Sequence, residues 1–382
     1  LHVNHHLSPH ADRWQENCRR VCEAQGVAFV ARRVAVETTG EGVEQAARRA
    51  RYRCFEQQLR EGDILLMAHH RDDQVETVLY RLLRGAGPRG LAGMPGERAL
   101  GAGTLLRPLL GLERRDLEDR ARARGLDWVE DESNASSAFD RNFLRHRVLP
   151  VLAQRWPDYR RRMLRTAAEC ADAQTLLAER AAEDLRALGE TPRRLGWGFA
   201  LEGFRSLSRE RRGNVLRHWV EQRLGDHPGY RVLDAVQHDL LPARGDAQPR
   251  VAWHGGEFRR FDDALYLLPN MPPPPDTDCL LIWDGQSPLN LPDGGRLTAQ
   301  TASGRGVRIP RQGSLQIRFR QGGERCRPVG RPGSAPFKKL AREYGLPPWL
   351  RDRVPFIYVD DQLAAVGDCF VCESFAVGPG ES

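Results

Sequence analysis

The stretch MAHHRDDQVET, residues 67–77, carries two carboxylates three positions apart, Asp73 and Glu76, at the end of an apolar run. Side chains at that spacing share one face of a helix. Carboxylates are hard oxygen ligands, which suit Mg²⁺ bound to phosphates better than zinc. His69 stands just before them, where an imidazole can reach a phosphate or donate a proton. The stretch therefore predicts a metal and phosphate site.

The same stretch also matches a purely structural pattern. In a capping box, an acidic N-cap and a glutamate three residues later satisfy free N–H groups of the first helical turn. Asp73 and Glu76 fit these two positions. Capping and catalysis are compatible, so both interpretations stay open.

A second polar cluster, over residues 127–150, combines acids with arginines. Acids can receive an amine substrate, and guanidinium groups pair with phosphates through two hydrogen bonds. The structural alternative is an acidic loop followed by a helix that Asp140 caps and whose basic face is solvated. The functional candidates in this cluster are Glu130, Asp131, Glu132, Arg141, Asn142, Arg145 and Arg147.

A glycine-rich loop, LLRGAGPRGLAGM over residues 82–94, follows the first cluster. Such a loop is most often a helix C-cap. Beside a phosphate site, its glycines would also let a substrate backbone approach closely.

We expect alternating strands and helices to position these residues. Strands are predicted in LHVNHHL, VAFVARRVAV and DILLMAH, and each is followed by an amphipathic helix. DILLMAH is continuously apolar, as is typical of a parallel strand buried on both faces. The alternation predicts an α/β fold with a doubly wound parallel sheet over residues 1–150. Ligands of such sheets bind at the carboxyl ends of strands, where HVNHH and MAHHRDD both lie.

Four further segments are predicted beyond residue 150. A helical connector over 151–190 is broken near Trp156 and Pro157, and an arginine-rich helical domain that ends in short strands follows over 191–271. Four consecutive prolines from Pro272 onward make a stiff linker that opens an irregular, strand-containing stretch over 272–312. Residues 313–382 are predicted to form a small α+β C-terminal domain.

The net charge of +7 favours an anionic partner, nucleic acid first. Only Lys338 and Lys339 are lysines among 58 basic residues, so a codon bias toward arginine is an equally good account. No apolar run approaches the ~20 residues of a membrane helix, and we expect no membrane partner.

Eight cysteines are spread widely, and only Cys369 and Cys372 have metal-like spacing. Positions i and i+3 of a strand face opposite sides of the sheet, which argues against zinc there. We expect most of these residues to be reduced core thiols of a cytoplasmic protein.

Taken together, these motifs resemble the tRNA(Ile)-lysidine synthases, a family of the N-type ATP pyrophosphatase group with a PP-loop-type nucleotide-binding domain. The resemblance covers nearly the whole chain, and the combination and order of the motifs are far more specific than any one of them. The matching stretches are HVNHHLSPHAD, EQAARRARY, GDILLMAHHRDDQVET, LLRGAGPRGLAGM, RPLL, WVEDESN, DRNFLRHRVLP, RQGGERCRPVGR, FKKLAREYGLPPWLRDRVPFIY and LAAVG.

The resemblance implies a reaction in which ATP adenylates the C2 carbonyl oxygen of the wobble cytidine in a CAU anticodon of tRNA(Ile). The amine of free L-lysine then attacks C2 and expels AMP, which gives lysidine. Asp73 and Glu76 would hold Mg²⁺, and they would form the catalytic set with Arg141 and His69. ATP would bind at Val3, Asn4, His5, His69 and Arg141. Glu130, Asp131 and Glu132 are the candidates for the lysine pocket.

The resemblance also implies a tRNA-binding surface and leaves a homodimer open. For each single arginine or lysine, a solvent-exposed basic face without a tRNA contact is an equally good interpretation. The expected tRNA contacts are Arg84, Gly85, Arg145, Arg320, Arg325, Lys338, Lys339 and Arg351.

The sequence departs from the family at one point. The family's Ser-Gly-Gly-x-Asp-Ser loop, which follows its first strand, does not occur in residues 1–382. We therefore expect a chain truncated at its N-terminus and negligible activity of residues 1–382. The alternatives are a tRNA thiolase with the same N-terminal fold, a tRNA-binding protein without catalysis, and a metal hydrolase.

Overall fold

The computed structural model describes residues 1–37, 42–129, 139–244, 247–302, 304, 306–309 and 315–378. The chain divides into two compact units, Leu1–Leu177 and Ala178–Ser382. In the described part of the chain, no helix has both the length and the apolar character to cross a membrane.

The strands of the first unit pair largely in parallel. Strand β1 lies parallel to β2, with His2 opposite Ala31, and β3 lies parallel to β5, with Ile64 opposite Thr104. Strand β4 forms an antiparallel hairpin with β5. The strands are β1 His2–Asn4, β2 Ala31–Arg33, β3 Ile64–Leu66, β4 Glu97–Leu100 and β5 Gly103–Leu106.

Helices alternate with these strands, which confirms the predicted α/β fold. The expected break near Trp156 and Pro157 is present between α7 and α8, because proline cannot donate the N–H that a helix needs there. Residues Leu144–Val148 form a π-helical turn between α6 and α7. The helices are α1 Ala11–Ala24, α2 Val43–Gln58, α3 Arg71–Leu83, α4 Pro88–Leu91, α5 Arg114–Ala123, α6 Asp140–Phe143, α7 Leu149–Arg155 and α8 Tyr159–Ala187.

Strand β3 is not buried on both faces, so that expectation was wrong. Ile64 and Leu66 are 59% and 65% exposed, whereas Leu65 packs against Phe55 and Leu105. The reason is that the described residues pack against only one face of β3, which is also the outer strand of the three-stranded sheet β3-β5-β4.

In the second unit, an antiparallel five-stranded sheet of order β6-β7-β10-β9-β8 packs against short helices. Its core centres on Trp219, which lies between Phe199 and Phe258. The elements are β6 Thr191–Arg193, β7 Gly196–Ala200, α9 Leu201–Ser206, α10 Arg209–Leu224, α11 Tyr230–Ala235, a π-helical turn Val236–Leu240, β8 Arg250–Trp253, β9 Gly256–Phe261 and β10 Ala264–Pro269.

A second five-stranded sheet, β11-β14-β17-β18-β19, forms the C-terminal part. Strand β11 lies in the stretch predicted as linker and irregular strands, and it pairs with β14. The elements are β11 Leu280–Trp283, β12 Leu289–Asn290, β13 Arg296–Leu297, β14 Leu315–Arg318, β15 Arg325–Cys326, β16 Ala335–Pro336, α12 Phe337–Glu343, β17 Phe356–Val359, β18 Gln362–Val366 and β19 Phe370–Val371, with 3-10 turns at Pro348–Leu350 and Glu373–Phe375.

Cys326 and Cys372 form a disulfide, which the sequence analysis did not predict. Cys372 therefore pairs with a residue 46 positions away rather than with Cys369. The other six cysteines are free thiols, as expected, but only Cys54 is buried, so the expectation that most lie in the core was wrong.

Candidate active site

Helix α3 begins three residues earlier than the expected capping box requires. Its N-cap is His70, and Asp73 occupies the third helical position. The Asp73 Oδ2 atom accepts the backbone N–H of His70 at 2.9 Å. The predicted pairing of Asp73 as N-cap with Glu76 was therefore wrong by three residues, and Glu76 is free for a different partner.

That partner is Arg145, in the π-helical turn after α6. Glu76 is 3% exposed, and its two carboxylate oxygens accept the Arg145 Nε and Nη2 donors at 2.6 and 2.9 Å. The Arg145 Nη2 atom also lies 3.6 Å from Asp73 Oδ1. The hydrogen bond to Glu76 raises the pKa of Arg145 above its usual value. The structure thus places Arg145, expected as a tRNA contact, inside the carboxylate cluster.

His69 follows β3 and is held as a neutral imidazole. Its Nδ1 atom accepts the Nε–H of Arg107 at 3.3 Å. Burial is the main cause that lowers the pKa of His69 to about 4. The Asp73 carboxylate raises this pKa, whereas the positive charges of Arg107, Arg48 and Arg141 lower it further. Near neutral pH, His69 therefore acts as a hydrogen-bonding group and not as a cation.

Arg48 and Arg107 belong to this site, although the sequence analysis did not select them. Arg107 is 5% exposed, directly follows β5, and donates to the Pro95 carbonyl at 2.8 Å. Arg48 lies on α2, where burial lowers its pKa and the charge of Arg141 contributes. Their signal in the sequence was weak, because each lies in a short motif, RPLL or EQAARRARY, that is not specific by itself.

A pocket of about 820 Å³ lies at the carboxyl end of β1 and takes in most of the expected ATP-binding residues. Burial lowers the pKa of His5, whose buried Nδ1 atom lacks a hydrogen-bond partner among the described residues. The lining includes Val3, Asn4, His5, Arg48, Arg51, Glu76, Arg141 and Arg145. Several arginines and an unsatisfied ring nitrogen fit a polyanion such as a triphosphate.

Asn4 has a structural part in this pocket. Its amide donates to Asp12 Oδ1 at 3.0 Å and Gln15 Oε1 at 3.2 Å, and its carbonyl oxygen accepts the His6 backbone N–H at 2.9 Å. These bonds use both amide hydrogens, so the side chain shapes the turn after β1.

The carboxylate cluster fits a divalent cation only in part. Both Glu76 oxygens are bound by Arg145, whereas Asp73 Oδ1 makes only the 3.6 Å contact. Within the described ranges, no group of three or more His, Cys, Asp or Glu side chains is arranged to hold a metal. Asp73 is thus the better placed of the two expected ligands.

Two side chains of α3 hold the glycine-rich loop. The Gln74 amide accepts the Met94 N–H at 2.7 Å and donates to the Met94 carbonyl at 2.8 Å. Arg81 Nη1 donates to the carbonyls of Gly90 and Gly93 at 2.9 and 2.7 Å. Gly93 has φ +75°, and a Cβ there would lie 2.7 Å from the Gln74 amide, so only glycine fits.

The remaining expected residues lie elsewhere. Arg84 is exposed after α3 and donates to the Tyr80 hydroxyl at 2.7 Å, while Gly85 has φ +73° as the residue that ends the helix. Glu130, Asp131 and Glu132 lie outside the described residues.

The C-terminal cations surround α12. Arg320 forms an ion pair with Asp352 at 2.9 Å, whereas exposed Lys338 has no ion-pair partner in the part of the chain that the structure describes. Burial lowers the pKa of Arg351, and the nearby charge of Arg320 contributes. The five expected contacts here are Arg320, Arg325, Lys338, Lys339 and Arg351.

Three family models match the chain. Residues 1–152 match a PP-loop domain, residues 199–266 a TilS substrate binding domain, and residues 315–382 a TilS substrate C-terminal domain. The first match contains the carboxylate cluster and the 820 Å³ pocket, and it supports the use of ATP.

Curated relatives match nearly the whole chain. The tRNA(Ile)-lysidine synthase of Coxiella burnetii is 40% identical over 98% of this chain and 83% of its own length. Those of Alkalilimnicola ehrlichii and Methylococcus capsulatus are 43% and 40% identical over 100% and 99% of this chain, and over 85% and 87% of their own lengths. The chain therefore belongs to the tRNA(Ile)-lysidine synthase family.

Proposed function

We propose that this chain ligates free L-lysine to C2 of the wobble cytidine in the CAU anticodon of tRNA(Ile), through a cytidine adenylated by ATP. The observation that supports it best is the placement of Asp73 and Glu76. In a chain of this family, they lie beside an arginine-rich pocket of a size suited to a nucleotide. We assign the reaction to the cytoplasm, where its tRNA is found.

The residues in and near the 820 Å³ pocket would have different roles in the reaction. Arg48, Arg51 and Arg141 would bind the phosphates of ATP through charge-assisted hydrogen bonds. Neutral His69 would position a phosphate oxygen by donating its Nε2–H, since its Nδ1 accepts from Arg107. Asp73 would ligate Mg²⁺, and a bound Mg²⁺ would neutralise the charge on the departing pyrophosphate.

The second step needs a neutral amine. Lysine has a reference pKa of ~10.4, so its ammonium must lose a proton before it attacks C2. Glu76 is a buried carboxylate in the 820 Å³ pocket, and its contact with Arg145 can exchange for a contact with the incoming ammonium. We therefore assign Glu76 to receive the amine and, in the attacking complex, its proton.

Lysidine formation on a tRNA(Ile) transcript with labelled lysine and ATP tests this function. We expect product that depends on ATP, on lysine and on the wobble cytidine. Asp73→Asn should lower the rate about 100-fold, the scale of losing one electrostatic stabiliser. A transcript with uridine at the wobble position is the control. Absence of ATP-dependent product would refute the proposed ligation, and sulfur transfer to the tRNA would favour a thiolase.

A further inference from the structure

Helix α2 carries a half-buried tyrosine, Tyr52, whose ring and hydroxyl have different surroundings. The ring packs against the core that Phe55, Leu100 and Leu105 form, and its centroid lies 5.8 Å from that of Phe55. The hydroxyl accepts a hydrogen bond from the Arg48 Nη2 atom at 3.2 Å. A phenylalanine ring would fill the same apolar site, so the packing of the ring does not account for the hydroxyl.

Three arginines surround the Tyr52 side chain. The Cζ atoms of Arg48 and Arg98 lie 4.8 and 5.3 Å from the ring centroid. The buried guanidinium of Arg107 makes a side-chain hydrogen bond with the Tyr52 hydroxyl. None of these three arginines forms an ion pair with a carboxylate among the described residues. Their positive charges therefore repel one another, and the ring face and hydroxyl oxygen of Tyr52 offset that repulsion.

The pKa of Tyr52 reflects the arginines around it. Burial raises this pKa, but the charge of Arg48 and the charge and hydrogen bond of Arg107 outweigh burial, so that the pKa lies below its usual value. Burial lowers the pKa of Arg48, and Tyr52 acts against this effect. The hydroxyl oxygen and the two guanidinium groups therefore stabilise one another.

Both hydrogen-bond partners of the Tyr52 hydroxyl belong to the candidate active site. Arg48 lines the 820 Å³ pocket. Arg107 donates its Nε–H to His69 Nδ1 at 3.3 Å and an Nη1 hydrogen to the Pro95 carbonyl at 2.8 Å. Because His69 Nδ1 accepts a hydrogen bond, the neutral ring carries its proton on Nε2. The hydroxyl thus connects an arginine of the pocket with the arginine that fixes the tautomer of His69.

We infer that Tyr52 is a positioning residue of this site, and that its hydroxyl acts through Arg48 and Arg107. The hydroxyl holds the Arg48 guanidinium in the lining of the pocket before a nucleotide arrives, and it holds the Arg107 guanidinium against His69. Donors that are ordered in advance lose less conformational entropy when the ligand binds. The inference rests on the proposed function for the identity of the ligand, ATP, whereas the effect on His69 concerns the protein without ligand.

Nitrogen-15 NMR of the His69 ring in the ligand-free protein tests the contact through Arg107. Tyr52→Phe keeps the ring in the core and removes only the hydroxyl. In this variant the population of the Nε2–H tautomer should fall, because Arg107 is held less firmly against Nδ1. The midpoint of the His69 titration, near pH 4 in the wild type, should rise by about half a pH unit as the positive charge moves away. A hydroxyl with a purely structural role would change the melting temperature and neither of these two quantities.

Titration calorimetry with ATP and Mg²⁺ tests the contact through Arg48. Tyr52→Phe should weaken ATP binding about tenfold, because a guanidinium that binds phosphate loses the hydrogen bond that orders it. Tyr80→Phe is the matched control, since it removes a hydroxyl that accepts from Arg84 at 2.7 Å beneath a similar cation–π contact of 5.2 Å. Tyr80 does not line the 820 Å³ pocket, so this variant should bind ATP and titrate at His69 as the wild type does.

The two measurements separate this inference from the proposed function. A His69 ring with the same tautomer and midpoint in Tyr52→Phe as in the wild type would overturn the inference, whatever the affinity for ATP. A wild type that fails to bind ATP would contradict the proposed function, and a changed His69 ring in Tyr52→Phe would still support the positioning role.

Discussion

His69 remains neutral near neutral pH because it is buried and three arginines lie near it. Glu76 is buried, and Arg145 donates a hydrogen bond to each of its carboxylate oxygens. A histidine or a glutamate can have several roles in an active site, and the residues that surround His69 and Glu76 determine which role each has. A neutral imidazole suits the positioning of a phosphate, and a paired carboxylate suits exchange with an incoming ammonium.

The pKa of His69 gives a prediction about pH. Its folded pKa of about 4 lies below the unfolded value of 6.5, so the unfolded chain takes up a proton first as the pH falls. Folding stability should therefore be lost between pH 6.5 and about 4, by at most about 3 kcal/mol. Urea unfolding at pH 7 and pH 5 should show a smaller pH effect in His69→Gln than in the wild type.

An NMR titration of the histidine side chains checks the cause directly. The resonance that disappears in the His69→Gln variant should titrate near pH 4. A His69 midpoint near 6.5 would contradict the neutral assignment.

Helix α3 organises the site as one element. Asp73 and Glu76 lie toward Arg145, while Gln74 and Arg81, two turns apart on another face, hold the backbone of the glycine-rich loop. The geometry of the loop therefore depends on side chains of the helix that precedes it.

Removing the Gln74 amide should loosen this loop. Gln74→Ala leaves the N–H and carbonyl of buried Met94 without these partners, which costs about 1–3 kcal/mol. Hydrogen exchange should rise over residues 88–96 and stay unchanged in the first turn of α3. Gln57→Ala, at an exposed position of α2, is the matched control. Equal exchange in both variants would show that the loop is held by other contacts.

At the scale of the whole molecule, a net charge of +7 suits an RNA partner. Many arginines are already in ion pairs, such as Arg211 with Asp184 and Arg223 with Glu190. Lys338 is exposed without an ion-pair partner among the described residues. The ion pair of Lys339 with Glu343 is weak, because the Lys339 Nζ atom lies 4.0 Å from the Glu343 carboxylate. Cations with weak internal partners are the best candidates for phosphate contacts.

The salt dependence of tRNA binding tests whether Lys338 and Lys339 contact phosphates. Lys338→Ala combined with Lys339→Ala should weaken binding and lower the slope of log K against log salt by about 1.5, from two phosphate contacts. Arg19→Ala with Arg20→Ala removes the same charge from α1 and should leave the slope nearly unchanged. An unchanged slope in the lysine variant would exclude both lysines as phosphate contacts.

The sequence by itself determined the α/β alternation, the helix break at Pro157 and the placement of Asp73 and Glu76 on one helix. These features follow from local periodicity and from proline chemistry, which act over a few residues. The order of the motifs also determined the family, because together they extend over most of the chain.

Only the tertiary structure decided the partners of these residues. Glu76 meets Arg145 at a separation of 69 residues, His69 meets Arg107 at 38, and Cys326 meets Cys372 at 46. The structure also showed that, among the described residues, β3 has one exposed face, although its sequence is typical of a strand buried on both faces. The physical reason is that local periodicity sets which face of an element is apolar, whereas the packing of distant elements sets what that face meets and how each charge is compensated.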